Sequence, residues 1–521
     1  MFGFYNWVTA NCRKSPEKIA IINEDERVSY QELERRVNRL SYGMKQLGIG
    51  KGSRVAVLYH NEIDFVLVFL ASLKLGAVFF PLNFRYIYPE IVDMLESIEC
   101  EYFFCGSGFS EVAENLAKDH PDIVSVVSDA ADNQASPKTL LDLMDNDQDS
   151  WDFYENVDPD DEILAIFTGG TTGKAKAAMH TQQSLVCQVI PRFYEDGELS
   201  GLGNDESYFC YMPLFHISGL SALTGMLAST NTLYLVKKLN VEDTLRIIEE
   251  ERITQMFFIP PELSIRFMQL PDWEKYDLSS VRMVRVGGGN TTTEAVERTF
   301  QLFPNARVLK AYSNSEFFAN ISIIYTDESL KARPDLINAL GKPIYFTETM
   351  VLNENDEIAK PNEPGILWGR SWGNMKRYFG QDAVEIDGYR STGDVVYQDD
   401  EGYFYFVGRS KSLIKTGGEN VYPAEVEEAI RQFPGIAECA IVGLPDPVLG
   451  EKVAAALVTL DDEAFNKEEF FTYCLEHMAG FKKPRKVFLI DVLPRTTIGK
   501  VDDATLLAQL TQMDSEGNVL Q

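Results

Sequence analysis

Apolar residues recur along this chain in two alternating rhythms. Leu33, Val37, Leu40, Met44 and Leu47 follow at three- and four-residue steps, which places them on one face of a helix. Ser29-Tyr30-Gln31-Glu32 stands just before them and reads as a capping box, in which a hydroxyl and a carboxylate satisfy free N–H groups at a helix start. Gly48 ends the pattern. A short apolar run then predicts a strand over 54–59, and a helix follows from about residue 62. The strand rhythm returns at 162–167, 252–259 and 281–286, with a helix near 182–190. This alternation predicts parallel sheets covered by helices. Residues 65–82 are apolar except for Ser72, Lys74 and Gly76, a length that could span a bilayer. Lys74-Leu75-Gly76 reads better as a helix end, with a buried strand over 77–82.

Two further stretches bear on domain organisation. Residues 130–158 are polar and acidic and are expected to form a solvated connector. Residues 388–408 are Gly-rich and β-like, and Pro423 then opens a helix with three glutamates near its positive dipole end. Val426, Ile430 and Phe433 give that helix an apolar face, and strands are expected over 438–442 and 452–460. A separate α+β domain of about 110 residues is therefore predicted to start near 410. No repeat of solenoid length is visible.

Composition narrows the function classes. The 521 residues carry a net charge of −31, which argues against a nucleic acid or an anionic membrane as partner. An anionic substrate must then be met by local basic groups. Seven cysteines form no CxxC pair and the five histidines are scattered, so no zinc site is suggested. Free thiols in a reducing, cytoplasmic compartment are expected. The N-terminus has no basic-then-apolar signal pattern.

The strongest chemical signal is 168–176, Thr-Gly-Gly-Thr-Thr-Gly-Lys-Ala-Lys. Gly169, Gly170 and Gly173 allow a turn that presents N–H groups to an anion, Thr168, Thr171 and Thr172 add hydroxyls, and Lys174 and Lys176 add charge. It is not a Walker A loop, because Thr168 stands where the first Gly belongs and Ala175 where a Mg-binding hydroxyl belongs. Further on come Met212-Pro-Leu-Phe-His-Ile-Ser-Gly and Val286-Gly-Gly-Gly-Asn290. Then follow Ala311-Tyr-Ser-Asn-Ser-Glu316 and Ser391-Thr-Gly-Asp394. Gly408-Arg409, Lys415-Thr-Gly-Gly-Glu-Asn420 and Pro494-Arg-Thr-Thr-Ile-Gly-Lys500 complete the series.

Taken in order, these motifs resemble the adenylate-forming (AMP-binding) superfamily across nearly the whole chain, in its acyl-CoA synthetase, 4-coumarate:CoA ligase and luciferase branch. The resemblance implies an α/β fold: a large N-terminal domain (1–409) of helix-covered parallel sheets with a small β-barrel-like part, and a small mobile α+β domain (410–521). It implies that Thr168–Lys176 grips the pyrophosphate of ATP and that His216 lines the acyl pocket and gates the carboxylate. Gly287, Gly288 and Gly289 would pass beside adenine, with Ala311, Ser313 and Asn314 on the strand that also carries Tyr312, stacked on the ring. Ser315 would touch the α-phosphate, and Glu316, with Thr168, would hold Mg²⁺. Asp394 and Arg409 would take the ribose hydroxyls, and Lys411 would be the hinge. Lys415, Gly417 and Gly418 would face the pantetheine thiol, and Lys500 would meet the substrate carboxylate and ATP.

The chain departs from the family pattern at Gly169, Ala175, Ala177 and Asn314. The implied reaction is acyl-CoA synthesis through an acyl-AMP, with ATP, Mg²⁺ and coenzyme A and, as an arrangement to test, a homodimer. Alternatives are loading of a carrier protein, a luciferase, and a degenerate nucleotide-binding regulator. No carboxylate lies between Tyr211 and Val241 to pair with a substrate amine, which favours an amine-free acid. Small Ser218 suggests room, and Phe317-Phe318 suggest a limit, so a medium-chain or cyclic/aromatic acid is expected.

Overall fold

The computed structural model describes residues 3–129, 138–168, 176–190, 205–258, 263–287, 291, 293–317, 321–353, 355–383, 385–409, 414–421, 423–460, 465–494, 501, 503–517 and 519. The expected first helix runs Tyr30–Gln46, and the Ser29 hydroxyl accepts from the Glu32 N–H at 3.2 Å. The reciprocal half of the box does not form. The Glu32 carboxylate takes Arg35 and Arg36 instead, at 2.6–2.7 Å, because charged donors outbid a neutral N–H. Leu33, Val37, Leu40 and Met44 are buried as the spacing predicts. The apolar run resolves into the helix Ile63–Leu75 and the strand Val78–Pro81, divided by Gly76 at φ 67°, a left-handed conformation that suits glycine. Among the described residues no helix is long and apolar enough to cross a membrane.

Three sheets organise the described residues. The first has eight strands and a parallel interior of Val78–Pro81, Arg54–Leu58, Tyr102–Cys105 and Val124–Val127. At one margin Glu162–Thr168 turns back as Lys176–Thr181 in an antiparallel hairpin, and Arg377–Tyr378 adds a further antiparallel strand. The second sheet has thirteen strands. Its parallel centre includes Ser207–Cys210, Gln255–Phe258, Met283–Val286 and Arg307–Tyr312. It continues into the antiparallel strands Ile321–Tyr325, Ala339–Pro343, Phe404–Arg409, Arg390–Gln398, Gly365–Ser371 and Thr347–Leu352. The third, five-stranded sheet belongs to a small C-terminal domain whose own core includes Ile414, Val426, Ile430, Ile441 and Phe470. The fold is thus α/β with large mixed sheets. The expectation of parallel sheets holds at their centres, and the strands that carry the candidate site turn back at their margins.

Residues 130–137 of the acidic connector lie outside the described residues. Residues 138–157 keep most of their acidic side chains exposed, as expected, but also pack as a strap on the large domain. Lys138–Thr139 extends the first sheet, and the helix Leu140–Met144 packs so closely on Tyr30–Gln46 that a Cβ on Gly43 would meet the Leu143 carbonyl oxygen at 2.1 Å. Trp151 stacks on Phe153 at 4.8 Å between ring centroids. The buried Lys74 ammonium donates to the Trp151 carbonyl at 2.7 Å and to Asn38 Oδ1 at 2.5 Å, and lies 4.8 Å from the indole centroid. Burial brings this lysine down to about 8. All seven cysteines are free thiols; six are buried and Cys187 is half-buried. Burial pushes the Cys12, Cys100, Cys210, Cys439 and Cys474 thiols up to about 12, and that of Cys187 to about 11.

Candidate active site

The strands on either side of the Gly/Thr stretch pair antiparallel. Thr168 and Lys176 are paired across these two strands, and both are half-buried. Side chains alternate along a strand, so Lys176, Ala178 and His180 share one face. Tyr378 pairs with Ala178 and joins that face. The Lys176 ammonium lies 5.1 Å from the Tyr378 ring centroid. The Tyr378 hydroxyl donates to Glu316 Oε1 at 2.8 Å. At the far end of the face His180 Nε2 bonds the Ser315 carbonyl at 2.9 Å. Burial holds this imidazole down to about 3, so it stays neutral and Nε2 carries the donated proton. One strand face therefore connects the loop lysine to Ser315 and Glu316.

Those two residues end the segment that follows the strand Arg307–Tyr312. The segment is fixed by its backbone: Phe317 N–H donates to the Asn314 carbonyl at 3.3 Å, and Met375 N–H to the Glu316 carbonyl at 2.9 Å. Asn314 Nδ2 donates to the Thr392 carbonyl at 3.3 Å, so this departure from the family pattern is tied to the strand that bears Asp394. The Tyr312 hydroxyl donates to Asp394 Oδ2. Asp394 is 1% exposed, and its N–H donates to Thr392 Oγ1 at 3.1 Å. Its backbone faces that of Arg409 in the strand pairing. Ala311 and Tyr312 complete the strand, and Ser313 is exposed beyond it. Gly287 is explained by crowding, since a Cβ there would lie 2.8 Å from the Ala311 carbonyl oxygen. That adds a close approach between strands to the expected room for a flat ring.

Phe317 is 1% exposed and its ring tip abuts Gly369, where an added Cβ would meet the ring at 2.0 Å. Its bulk is spent in the core, which removes it as a measure of acid length; Phe318 lies outside the described residues.

His216 stands just before the helix Ile217–Ala228, with Nδ1 3.2 Å from Ser218 Oγ. Burial lowers its pKa; Glu419 opposes this, and Arg85 adds to it. Those two charges come from different parts of the chain. Arg85 belongs to the large N-terminal part, and Glu419 to the hairpin of Ile414–Thr416 and Glu419–Val421. They form an ion pair, and Asn83 Nδ2 lies 3.5 Å from Glu419. Gly417 and Gly418 turn that hairpin at φ 58° and 85°, the two positive angles of the tightest hairpin turn, which explains the Gly-Gly pair. The Lys415 N–H donates to Glu451 Oε2 at 2.6 Å, and the Gly417 N–H to the Leu449 carbonyl at 2.8 Å. A second link sits beside it: buried Lys482 pairs with Glu90 at 3.0 Å and lies 4.1 Å from the Tyr86 ring centroid.

Gly169, Gly170, Thr171, Thr172, Gly173, Gly288, Gly289, Lys411 and Lys500 lie outside the described residues. The remaining expected residues fall into two groups, Thr168–Lys176–Glu316–Ser315–Tyr312–Asp394 and His216 with the Lys415–Gly418 hairpin. Sequence reading passed over Tyr378, His180, Arg85 and Glu419. His180 carried a signal, because it stands two strand periods after Lys176. Glu419 lies inside the Lys415–Asn420 motif but carries no assigned role there, and Tyr378 and Arg85 act across long separations that no local pattern marks. Among the described residues no cluster of three or more His, Cys, Asp or Glu side chains could hold a metal unaided. A lone carboxylate fits Mg²⁺ when phosphate oxygens and water supply the remaining ligands, and Glu316 with one oxygen taken by Tyr378 suits that role.

Comparisons with known proteins agree with this arrangement. The family model described as AMP-binding enzyme matches residues 8–379, and that of the AMP-binding enzyme C-terminal domain matches 425–500. A feruloyl-CoA synthase of Amycolatopsis sp is 31% identical over 96% of this chain and 97% of its own length. An indoleacetate–CoA ligase of Aromatoleum aromaticum is 29% identical over 98% of this chain and 99% of its own. The o-succinylbenzoate CoA synthetase of Bacillus subtilis, as a double mutant bound with a product analogue, superposes with a TM-score of 0.82 at 26% identity, covering 96% of this chain and 98% of that one. The same enzyme in complex with ATP and magnesium ion gives a TM-score of 0.67 at 26% identity, covering 96% and 99%.

Proposed function

Because this chain belongs to the AMP-binding enzyme family, we propose that it joins a carboxylic acid to coenzyme A in two steps at one site. It is an ATP-dependent, AMP-forming acyl-CoA synthetase. The observation that carries the reading is the convergence of Lys176, of Tyr312, Ser315 and Glu316, and of Asp394 from three distant segments, in a chain 31% identical to a feruloyl-CoA synthase.

A carboxylate is a poor acyl donor because its leaving group would be an oxide. In the first step the acid's oxygen attacks the α-phosphorus of ATP and pyrophosphate departs, leaving an acyl-AMP. Both partners are anions, so the protein's task is neutralisation and alignment. Lys176 and Lys500 supply positive charge and the loop 168–173 supplies N–H and hydroxyl donors. Asp394 and Tyr312 hold the nucleoside, and Arg409 is assigned to the ribose beside them. Mg²⁺ held by Glu316, with Thr168 nearby, would neutralise phosphate charge. His216, neutral at pH 7, borders the acid without adding a charge of its own. In the second step the thiol of coenzyme A attacks the acyl carbon and AMP leaves.

We assign 1–409 to the ATP and acyl half and 410–521 to a mobile domain that pivots at Lys411. Two features support this. The Gly417–Gly418 hairpin abuts Arg85 beside His216, and the product-analogue form of the Bacillus enzyme matches this chain better than its ATP form does. The arrangement described therefore suits thioester formation.

The acid is taken to be a medium-chain or cyclic/aromatic one. The names of the feruloyl-CoA and indoleacetate relatives support an aromatic acid. A cytoplasmic location suits the seven free thiols. The test is a panel of carboxylic acids incubated with ATP, Mg²⁺ and coenzyme A, with acyl-CoA scored by mass spectrometry. A preference for acids of sixteen carbons or more (~C16) would overturn the choice of acid. Failure of every acid in ATP–pyrophosphate exchange would overturn the reaction. Transfer from acyl-AMP to a holo-carrier protein but not to coenzyme A would reassign the acceptor.

A further inference from the structure

We propose that Tyr378 is a positioning residue that couples the phosphate loop to the metal carboxylate; this rests on Glu316 being the Mg²⁺ ligand. The segment around it is held on every side by main-chain and ionic contacts. Lys376 N–H donates to the Met179 carbonyl at 2.7 Å and Phe379 N–H to the Ala177 carbonyl at 2.8 Å. Arg377 forks onto Glu162 at 2.6 and 2.9 Å, and Met375 N–H donates to the Glu316 carbonyl at 2.9 Å. Tyr378 is thus fixed to the strand after the loop on one side and to the Glu316 backbone on the other.

From that fixed backbone the side chain does two things. Its hydroxyl donates to Glu316 Oε1 at 2.8 Å. That bond consumes one carboxylate oxygen and orients the other. Its ring faces the Lys176 ammonium at 5.1 Å, within the range where a ring quadrupole attracts a cation. The same aromatic side chain therefore sets the direction of the anionic metal ligand and the place of the loop's cation. Two charges of opposite sign brought into one phosphate site would otherwise tend to pair directly. The phenol between them gives each a separate partner and leaves both available to the polyphosphate.

The two contacts separate by substitution. Tyr378→Phe keeps the ring and deletes the hydroxyl; Tyr378→Leu deletes both. Mn²⁺ binding to the enzyme with ATP and no acid, followed by electron paramagnetic resonance, reads the metal contact without turnover. Tyr378→Phe is expected to weaken Mn²⁺ about tenfold, the usual size of a hydrogen bond to a charged group, while ATP affinity measured in EDTA by calorimetry stays at the wild-type value. Tyr378→Leu is expected to weaken ATP in EDTA as well, because Lys176 loses its ring. Thermal melting of each variant controls for folding. Wild-type Mn²⁺ affinity in Tyr378→Phe, alongside a loss in Glu316→Gln, overturns the role of Tyr378 and leaves the metal assignment standing. Wild-type Mn²⁺ affinity in Glu316→Gln overturns the assignment of Glu316 and the coupling with it.

Discussion

The two halves of the site are held by different means. On the ATP side, Lys176, Ser315, Glu316, Tyr312 and Asp394 sit on or beside sheet strands, tied by backbone pairing, a neutral buried imidazole and a tyrosine that spans two sheets. On the thiol side, the Gly417–Gly418 hairpin reaches the large domain through the Arg85–Glu419 ion pair, with the Lys482–Glu90 pair beside it. The first set is as durable as the cores beneath it. The second is made of ion pairs, of which Arg85–Glu419 is partly exposed and can exchange its partner for water at modest cost. Alignment of two anions demands fixed charges, and the proposed pivot of the small domain would demand releasable ones.

The sharpest way to break this contrast is Lys500→Ala. Acyl-AMP formation, followed by ATP–pyrophosphate exchange, should fall by roughly 10²–10³-fold, the scale for losing a charge-stabilising group. Thioester formation from supplied acyl-AMP should be largely spared. Equal loss in both assays would mean that the two halves are not separately equipped. Next in size, Gly369→Ala drives a methyl into the Phe317 ring and should cost about 1–3 kcal/mol in urea unfolding. An unchanged midpoint would show that the frame behind Glu316 is softer than its packing implies.

A pH series probes the same frame. Burial holds His180 down to about 3 from an ordinary 6.5. The unfolded chain therefore takes up a proton that the folded chain refuses, and stability falls as pH drops from about 6.5 toward 3. His180→Gln should flatten that acid limb, measured as urea midpoint against pH; an identical limb would remove His180 from the frame. The smallest effect belongs to the thiol side. Arg85→Ala should slow thioester formation from acyl-AMP about two- to fivefold, as expected for a partly exposed pair, and added salt should shrink the difference. ATP–pyrophosphate exchange should not fall. A fall would place Arg85 in the first step.

The sequence carried most of this where physics is local. The Ser29 cap, the Leu33–Met44 stripe and the break at Gly76 each follow from neighbouring residues, and each is found. The strand Lys176–Thr181 was not anticipated, because Ala177 and Ala178 carry little strand preference and the partners that make it a strand lie elsewhere. The packing of 138–157 was not legible because acidic composition masks Trp151, half-buried against Lys74, and Phe153, half-buried against Lys45. Tyr378 reaches Glu316 across 62 positions, a distance at which spacing says nothing and topology decides. The motif residues were legible as chemistry, while the side chains that aim them were not.

The buried thiols have a practical corollary. With six of seven cysteines buried and their thiols held near or above 11 by that burial, the native fold is a quiet background for maleimide dyes. A cysteine placed at Tyr345, 61% exposed, and another at Val448, 60% exposed, would therefore label far faster than the natural seven. Energy transfer between dyes there would test whether the small domain moves during turnover, in a chain that keeps every one of its own sulfurs.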